Sequence, residues 1–392
     1  MSKYIIKIFP NILRNIPIID RWLLGQLFPP LIFAISAFTV VSLSVGVMID
    51  LIRKIVEYGL PFQLALQIMF LKLPSFLVLS FPMSVLLSTL LAYSKLSSNS
   101  EILALRSLGI KTSRIIIPAL ILSIFMTGLT FYFNNSLVPL SNKYSEILLR
   151  DGLGKSVSME KGVDIFFKGY GSFTNPETNE STKRNTFRNK IFFAREVENN
   201  VMKNVTVLDF SKIGYKQILT ADEGIFDSNK SEWIFSNGRM ITLDKGGNTT
   251  SIGFKKYFYP LGDGPLKVSK IPDDANEMTL SQAFEAKKIY TEIGDVKEAR
   301  KMSVRIHEKF TLPCACLVFG LIGSSLGSKP NLRSSKSQGF GLSVILILFY
   351  YVLSFVSSSL GVKGAFTPFL SAWLPVFVSL SVGFYLLKKA SV

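Results

Sequence analysis

The apolar residues of this chain gather in long blocks, and polar residues fill the spaces between them. The blocks from Leu27 to Ile49 and from Ile115 to Phe133 carry no charge at all. A helix that crosses a bilayer core needs about 20 apolar residues. Six stretches meet that length: 27–49, 75–93, 115–133, 310–327, 339–360 and 366–387. The second is the least regular, because Lys72, Pro74 and Pro82 interrupt the apolar run. Proline removes a backbone donor, and a lysine at the bilayer centre costs about 2.5–3.5 kcal/mol. The pattern therefore predicts an interfacial approach over 61–71, a span starting near Pro74, and a kink at Pro82.

Between 145 and 275 the period changes. Ile165-Phe-Phe167, Ile191-Phe-Phe-Ala194, Val205-Thr-Val-Leu208, Gln217-Ile-Leu-Thr220 and Trp233-Ile-Phe235 are short β-prone runs. Gly169-Tyr-Gly171, Asn199-Asn200, Ser228-Asn-Lys230, Ser236-Asn-Gly238 and Lys245-Gly-Gly-Asn248 punctuate them. Strands at this spacing predict an antiparallel sandwich or jellyroll, with a polar, mobile loop over 172–189. Beyond the sheet, Thr279 offers a capping hydroxyl to an amphipathic helix that Gly294 ends, and a second helix from Val296 to Lys309 leads into the fourth span. The fold class is thus a six-helix (3+3) membrane protein with an inserted all-β domain. Its parts are an N-terminal half over 1–144, the β domain over 145–275, and a connector with the C-terminal half over 276–392.

The formal net charge of +17 changes the picture only when it is divided along the chain. Residues 145–275 hold 19 Lys/Arg against 17 Asp/Glu, which leaves 25 basic and 10 acidic residues elsewhere. The excess flanks the apolar blocks, as the positive-inside rule requires, so nucleic acid is not a partner. With the N-terminus in the cytoplasm, the inner short segments carry thirteen Lys/Arg and the outer ones three, Arg53, Lys54 and Lys363. Both termini are then cytoplasmic and the β domain lies outside. The stretch before the first span lacks a cleavage pattern, so it reads as part of the mature chain.

Candidate chemistry is sparse. Cys314 and Cys316 diverge on a helix and read as small packing residues, and His307 reads as an interfacial residue. Gly154-Lys155-Ser156 imitates a phosphate loop, but the glycine that motif needs at 149 is Leu149. With no nucleotide, metal or nucleophile pattern, the chain is expected to lack catalytic residues and cofactors of its own. Carboxylates are scarce in the spans, which argues against an ion-coupled carrier. Between spans two and three, Glu101 to Gly109 reads as a short helix capped by Ser100 or Asn99, with Glu101, Leu105 and Leu108 on one face and Gly109 at its end. A short inner helix with an apolar stripe and one carboxylate suits docking into a groove of a soluble partner. The alternative is a helix lying on the membrane surface. Gly320, Gly323 and Gly327 allow close helix packing.

These residues resemble the LptF/LptG (YjgP/YjgQ) family, the permease subunits of the lipopolysaccharide-export ABC transporter. Ile19-Asp-Arg-Trp-Leu23-Leu24, Phe81-Pro-Met83, Ser100-Glu-Ile-Leu-Ala-Leu-Arg-Ser-Leu-Gly109 and Asn135-Ser-Leu-Val-Pro139 occur in the family's order, followed by Lys309-Phe310 to Pro313. The resemblance implies a bacterial inner-membrane protein with a periplasmic jellyroll that pairs with a second permease chain, the same or paralogous. It implies a cytoplasmic ABC ATPase dimer, which binds the ATP and Mg, and periplasmic jellyroll bridge proteins leading to the outer membrane. Glu101, Leu105, Leu108 and Gly109 would couple to the ATPase. Val45 and Met48 in the first span, with Ile345 and Phe349 in the fifth, would line a lateral gate and cavity for lipopolysaccharide. Arg53, Lys54, Arg305 and Lys309 would form a basic rim for its anionic head group, although Met48 stands where the family carries a deeper lysine. The competing function is a non-transporting, membrane-anchored assembly or tethering protein.

Overall fold

The computed structural model describes residues 17–153, 163–170, 173–174, 181–182, 188–198, 201–212, 216–227, 232–244, 246–261, 263–269, 271–272, 278–328 and 336–391. Gly154-Lys155-Ser156, Asn199-Asn200, Ser228-Asn-Lys230 and much of the 172–189 segment lie outside them. The chain divides into two compact units, 1–153 with 304–392, and 154–303.

In the first unit, helix α1 (Ile18–Leu43) passes through a π turn (Ser44–Met48) into α2 (Ile49–Tyr58). There follow α3 (Phe62–Ser98), α4 (Glu101–Ser107) and α5 (Thr112–Tyr132), then a second π turn (Phe133–Leu137) into α6 (Val138–Gly152). Among the described residues six helices are long and apolar enough to cross a membrane: Ile18–Tyr58, Phe62–Ser98, Thr112–Leu149, Val296–Gly327, Phe340–Lys363 and Pro368–Ala390. Six spans are therefore present as the hydropathy pattern predicts, but several are longer than their apolar blocks. The approach expected over 61–71 and the span expected from Pro74 form a single helix. Phe62–Ser98 is one helix with Pro74 and Pro82 inside it. Lys72 lies about 15 Å from the start of that helix at 1.5 Å per residue, within reach of a polar boundary.

The helices from the C-terminal part are α9 (Val296–Gly327), α10 (Lys336–Lys363) and α11 (Pro368–Ser391). The glycines at 320, 323 and 327 seat α9 directly on its neighbours. A Cβ at Gly323 would stand 2.1 Å from Thr89 Oγ1 and 2.9 Å from the Leu86 carbonyl oxygen, and one at Gly320 would meet Ser123 Oγ at 1.7 Å. Close packing of small residues substitutes for the hydrophobic drive that lipid cannot supply between helices. Serine and threonine hydroxyls return their bonds to the preceding turn, as in Ser84 Oγ to Ser80 O at 2.7 Å and Ser324 Oγ to Gly320 O at 2.6 Å. That satisfies polar groups where water is absent.

The second unit is built on a six-stranded antiparallel sheet ordered β1-β4-β5-β6-β7-β8, with a separate hairpin β2–β3. The strands are β1 (Val163–Tyr170), β2 (Phe173–Thr174), β3 (Ser181–Thr182), β4 (Arg188–Glu198), β5 (Val201–Asp209), β6 (Lys216–Asp227), β7 (Glu232–Leu243) and β8 (Thr249–Tyr259). Apart from the hairpin, every strand pairs with its sequence neighbour, so the described sheet is an up-and-down meander. Phe192, Trp233 and Phe235 are fully buried in one core, and Leu266 of α7 (Gly264–Ser269) packs against it. Tyr259 donates its hydroxyl to Asp209, which also holds Ser211 and lies 3.9 Å from Lys190. Burial, then the Asp209 carboxylate, pushes the Tyr259 hydroxyl pKa up. Helix α8 (Leu280–Ile293) starts at Thr279 with a complete capping box and stops at Gly294 in the left-handed region, as its sequence predicts.

Two strand expectations are corrected. Ser236-Asn-Gly238 is no turn but the middle of β7, and β8 is a further strand, whose Tyr257-Phe-Tyr259 run follows a stretch rich in Lys, Thr and Ser. The first traces to a feature of the strand pairing. The pairs Ala194↔Val205↔Ala221↔Gly238↔Phe254 form one row across five strands, and Glu196↔Lys203↔Glu223↔Ser236↔Lys256 form another. Between them lies a row of Arg195, Asn204, Asp222, Asn237 and Lys255. Each strand uses one extra residue there, so inward positions are spaced by three, as in Met202 and Val205 or Ala221 and Gly224. Because the strands do this in the same row, the sheet creases while its register holds. Asn204 (φ 51°) and Asn237 (φ 49°) take the left-handed conformation that asparagine tolerates. Gly238 lacks room for a Cβ, which would stand 2.3 Å from Thr220 O.

Candidate functional site: a pinned helical tip and an exposed apolar face

Helix α4 forms the tip between α3 and α5. Ser100 precedes it with φ 61° and makes no side-chain capping bond, contrary to expectation. Instead Asn99 Nδ2 donates to Glu101 Oε1 at 3.0 Å, which orients the carboxylate at the helix's first turn. Gly109, at φ 83°, ends the tip as predicted. Ile102 is buried and Leu105 packs into the core with Tyr93, Leu96 and Ile115. Leu108 is 77% exposed and Leu103 is 59% exposed. The structure thus separates Leu105, which anchors the tip, from Leu108, which is presented with the partly exposed Glu101. Leu103 was invisible to the i, i+4, i+7 pattern because it lies on the opposite side of that stripe. Its signal was an unpartnered leucine in a seven-residue helix.

Polar bonds tie α5, the span that follows the tip, to its neighbours. Arg114 grips Asp20 with both guanidinium nitrogens at 2.7 Å, and Asp20 is 5% exposed. Tyr93 donates to Ile115 O at 2.7 Å, and Thr112 Oγ1 to Ala390 O at 3.1 Å. Asp20 lies in the first turn of α1, Arg114 in that of α5 and Ala390 near the end of α11, so α5 is bonded to α1, α3 and α11 close to the tip. A two-toothed arginine–carboxylate pair fixes orientation as well as distance. Asp20→Arg alone is expected to lower transport activity and the melting temperature of the detergent-solubilised protein. Combining it with Arg114→Asp is expected to recover both. Failure of the double variant to recover either one would show that the pair does not link these helices.

The expected gate residues are exposed on the surface of the chain. Val45 and Met48 lie in the first π turn, exposed, and Ile345 and Phe349 are exposed one turn apart on α10. The Phe76 ring lies under Gly46 in that turn, where a Cβ would come within 2.6 Å of it. A π turn within a long helix marks functional segments more often than chance.

The basic residues part company. Lys54 pairs with Asp50 at 2.7 Å, and Arg53 approaches Glu57 at 4.0 Å on the exposed side of α2. Arg305 binds Glu308 at 2.7 Å, and Glu308 also accepts from Ser358 at 2.5 Å. Lys309 is only 7% exposed and donates to Asn134 O at 3.3 Å. It therefore satisfies a carbonyl that the second π turn would otherwise leave without an i+4 donor, and it faces into the helix pack.

Residues 21–389 match the family model described as lipopolysaccharide export system permease LptF/LptG. The chain belongs to the LptF/LptG family. It is also 21% identical over 327 residues to an uncharacterized protein of Rickettsia prowazekii (strain Madrid E), RP871, covering 81% of this chain and 84% of that one. The six apolar helices and the six-stranded domain between the third and fourth agree with the family as the resemblance implies, and make this a multi-pass inner-membrane member of it.

Proposed function

We propose that this LptF/LptG-family chain is a permease subunit that extracts lipopolysaccharide from the inner membrane under power from a separate ABC ATPase dimer. In this reading the termini and the α4 tip are cytoplasmic and the β domain is periplasmic. The bound ATP and Mg belong to the ATPase. A second permease chain completes the cavity, and periplasmic bridge proteins receive the lipid from the β domain. The observation that carries the reading is the α4 tip. It exposes a carboxylate and two leucines, packs through Ile102 and Leu105 on the helical core, and leads into α5, which Arg114, Tyr93 and Thr112 bond to helices of both halves. A helix that only rested on the membrane would have no need of such connections.

The apolar substrate would enter past Val45 and Met48 on one side and Ile345 and Phe349 on the other. Arg53, Lys54 and Arg305 remain as the head-group rim, each already beside a carboxylate, so an anionic head group would exchange partners with them. The test places a photoreactive residue at 45 or 349 in the complex purified from cells. The expected result is a lipopolysaccharide adduct at both positions and an ATPase that co-purifies with the chain. A preparation with neither adduct nor ATPase would overturn the proposal.

A further inference from the structure

The crease in the sheet leaves a solvent-open groove of 680 Å³ whose walls include Asn204, Asp222, Asn237, Arg239, Lys255 and Phe254. The volume is that of a small-molecule site. The groove runs across β5, β6, β7 and β8, about 14 Å at 4.8 Å per strand. Its direction excludes strand addition, because it crosses strands whose residues on either side of the crease are already paired with both neighbours in β6 and β7. Its composition excludes a simple anion site, because Asp222 stands among the two cations.

What the walls offer is a mixture of donors and acceptors. Two carboxamides do both, one carboxylate accepts, and a guanidinium and an ammonium donate. Phe254, half-buried, supplies an apolar surface beside them. Sugar rings need this combination, since their hydroxyls both give and accept and their C–H faces pack on aromatic rings. The backbone also invests in the place. Both left-handed asparagines lie in the groove, and Gly238 is held to a glycine by the Thr220 carbonyl. Strained residues held by their surroundings concentrate at binding sites.

We infer that this groove binds a short oligosaccharide, the saccharide portion of the lipopolysaccharide handled by the chain. The inference rests on the proposed function for the identity of the sugar. The groove would hold the polar part of the glycolipid along the outside of the β domain.

The experiment uses the full chain in lipid nanodiscs, titrated with lipid-free oligosaccharide released by mild acid from the host bacterium's lipopolysaccharide. Binding is followed by saturation-transfer NMR on the sugar. The expected result is saturable binding, weakened at least tenfold by Asp222→Ala and by Arg239→Ala, both exposed positions whose loss leaves the melting temperature unchanged. Absence of saturable binding, or binding by both variants as tight as by the unsubstituted chain, would overturn the inference. Photo-adducts at positions 45 and 349 are measured on the same preparations. If they persist while the sugar fails to bind, the groove assignment alone falls. If they too are missing, the extraction reading falls with it.

Discussion

Reversing the charge at position 101 is expected to abolish lipid export while leaving the chain in the membrane. Glu101→Arg removes the proposed docking carboxylate and loses the bond from Asn99. It also sets a cation against the positive end of α4, an effect of about 0.3–1 kcal/mol. That last penalty is too small to unfold a tip anchored by Ile102 and Leu105, so the defect should be one of coupling. Export is expected to fall by at least tenfold, and the ATPase to be lost on purification. Glu101→Gln retains an acceptor for Asn99 without the charge and should fall between the variant and the parent. Melting curves in detergent should overlay for all three. Full export and normal ATPase retention in Glu101→Arg would remove Glu101 from the coupling contact.

The second large effect is structural. Gly323→Leu is expected to prevent stable assembly of α9 against α3. Even the first added carbon would clash with Thr89 Oγ1 and, at 2.9 Å, with the carbonyl of Leu86. The hydroxyl can rotate away, but the backbone cannot. Overpacking a tight site costs about 1–3 kcal/mol, and more when main chain must shift. Gly323→Ala should lower the melting temperature clearly, and Gly323→Leu should yield little folded protein. Adding Thr89→Ala should relieve part of the alanine defect and almost none of the leucine defect. Unchanged melting of Gly323→Ala would show that the helices are not in such close contact.

The six spans, their order and the inserted sheet were legible in the sequence because each depends on composition over many residues. Span ends were less so. Asp20 suits the first turn of α1 as a carboxylate, but it can be buried there because Arg114, ninety-four residues away, neutralises it. No local pattern contains that partner. The continuity of α3 through Pro74 was hidden for a similar reason, since tolerance of a proline depends on neighbouring helices. In the sheet, alternation located five strands but failed at the crease, where one residue per strand breaks the period of two. Ser236-Asn-Gly238 therefore read as a turn. At the tip, Glu101 and Gly109 were legible through their positions at the helix ends. The division of labour between Leu105 and Leu108 was not, because it depends on which side meets Tyr93 and Leu96. Lys309 carried the sequence signature of a snorkelling cation, and only the carbonyl of Asn134 explains its inward course.

The π turn at Ser44–Met48 has a consequence for how this helix tolerates change in length. Such a turn holds one residue more than regular α geometry needs. Deleting a single residue there lets the helix relax to ordinary winding, with everything beyond it still pointing as before. The same deletion among residues 31–41 would swing the part of the helix that follows by about 100°. Arg53 and Lys54 would then face a different quarter of their surroundings. The first helix therefore carries a built-in phase adjuster, and natural insertions and deletions should collect at that point.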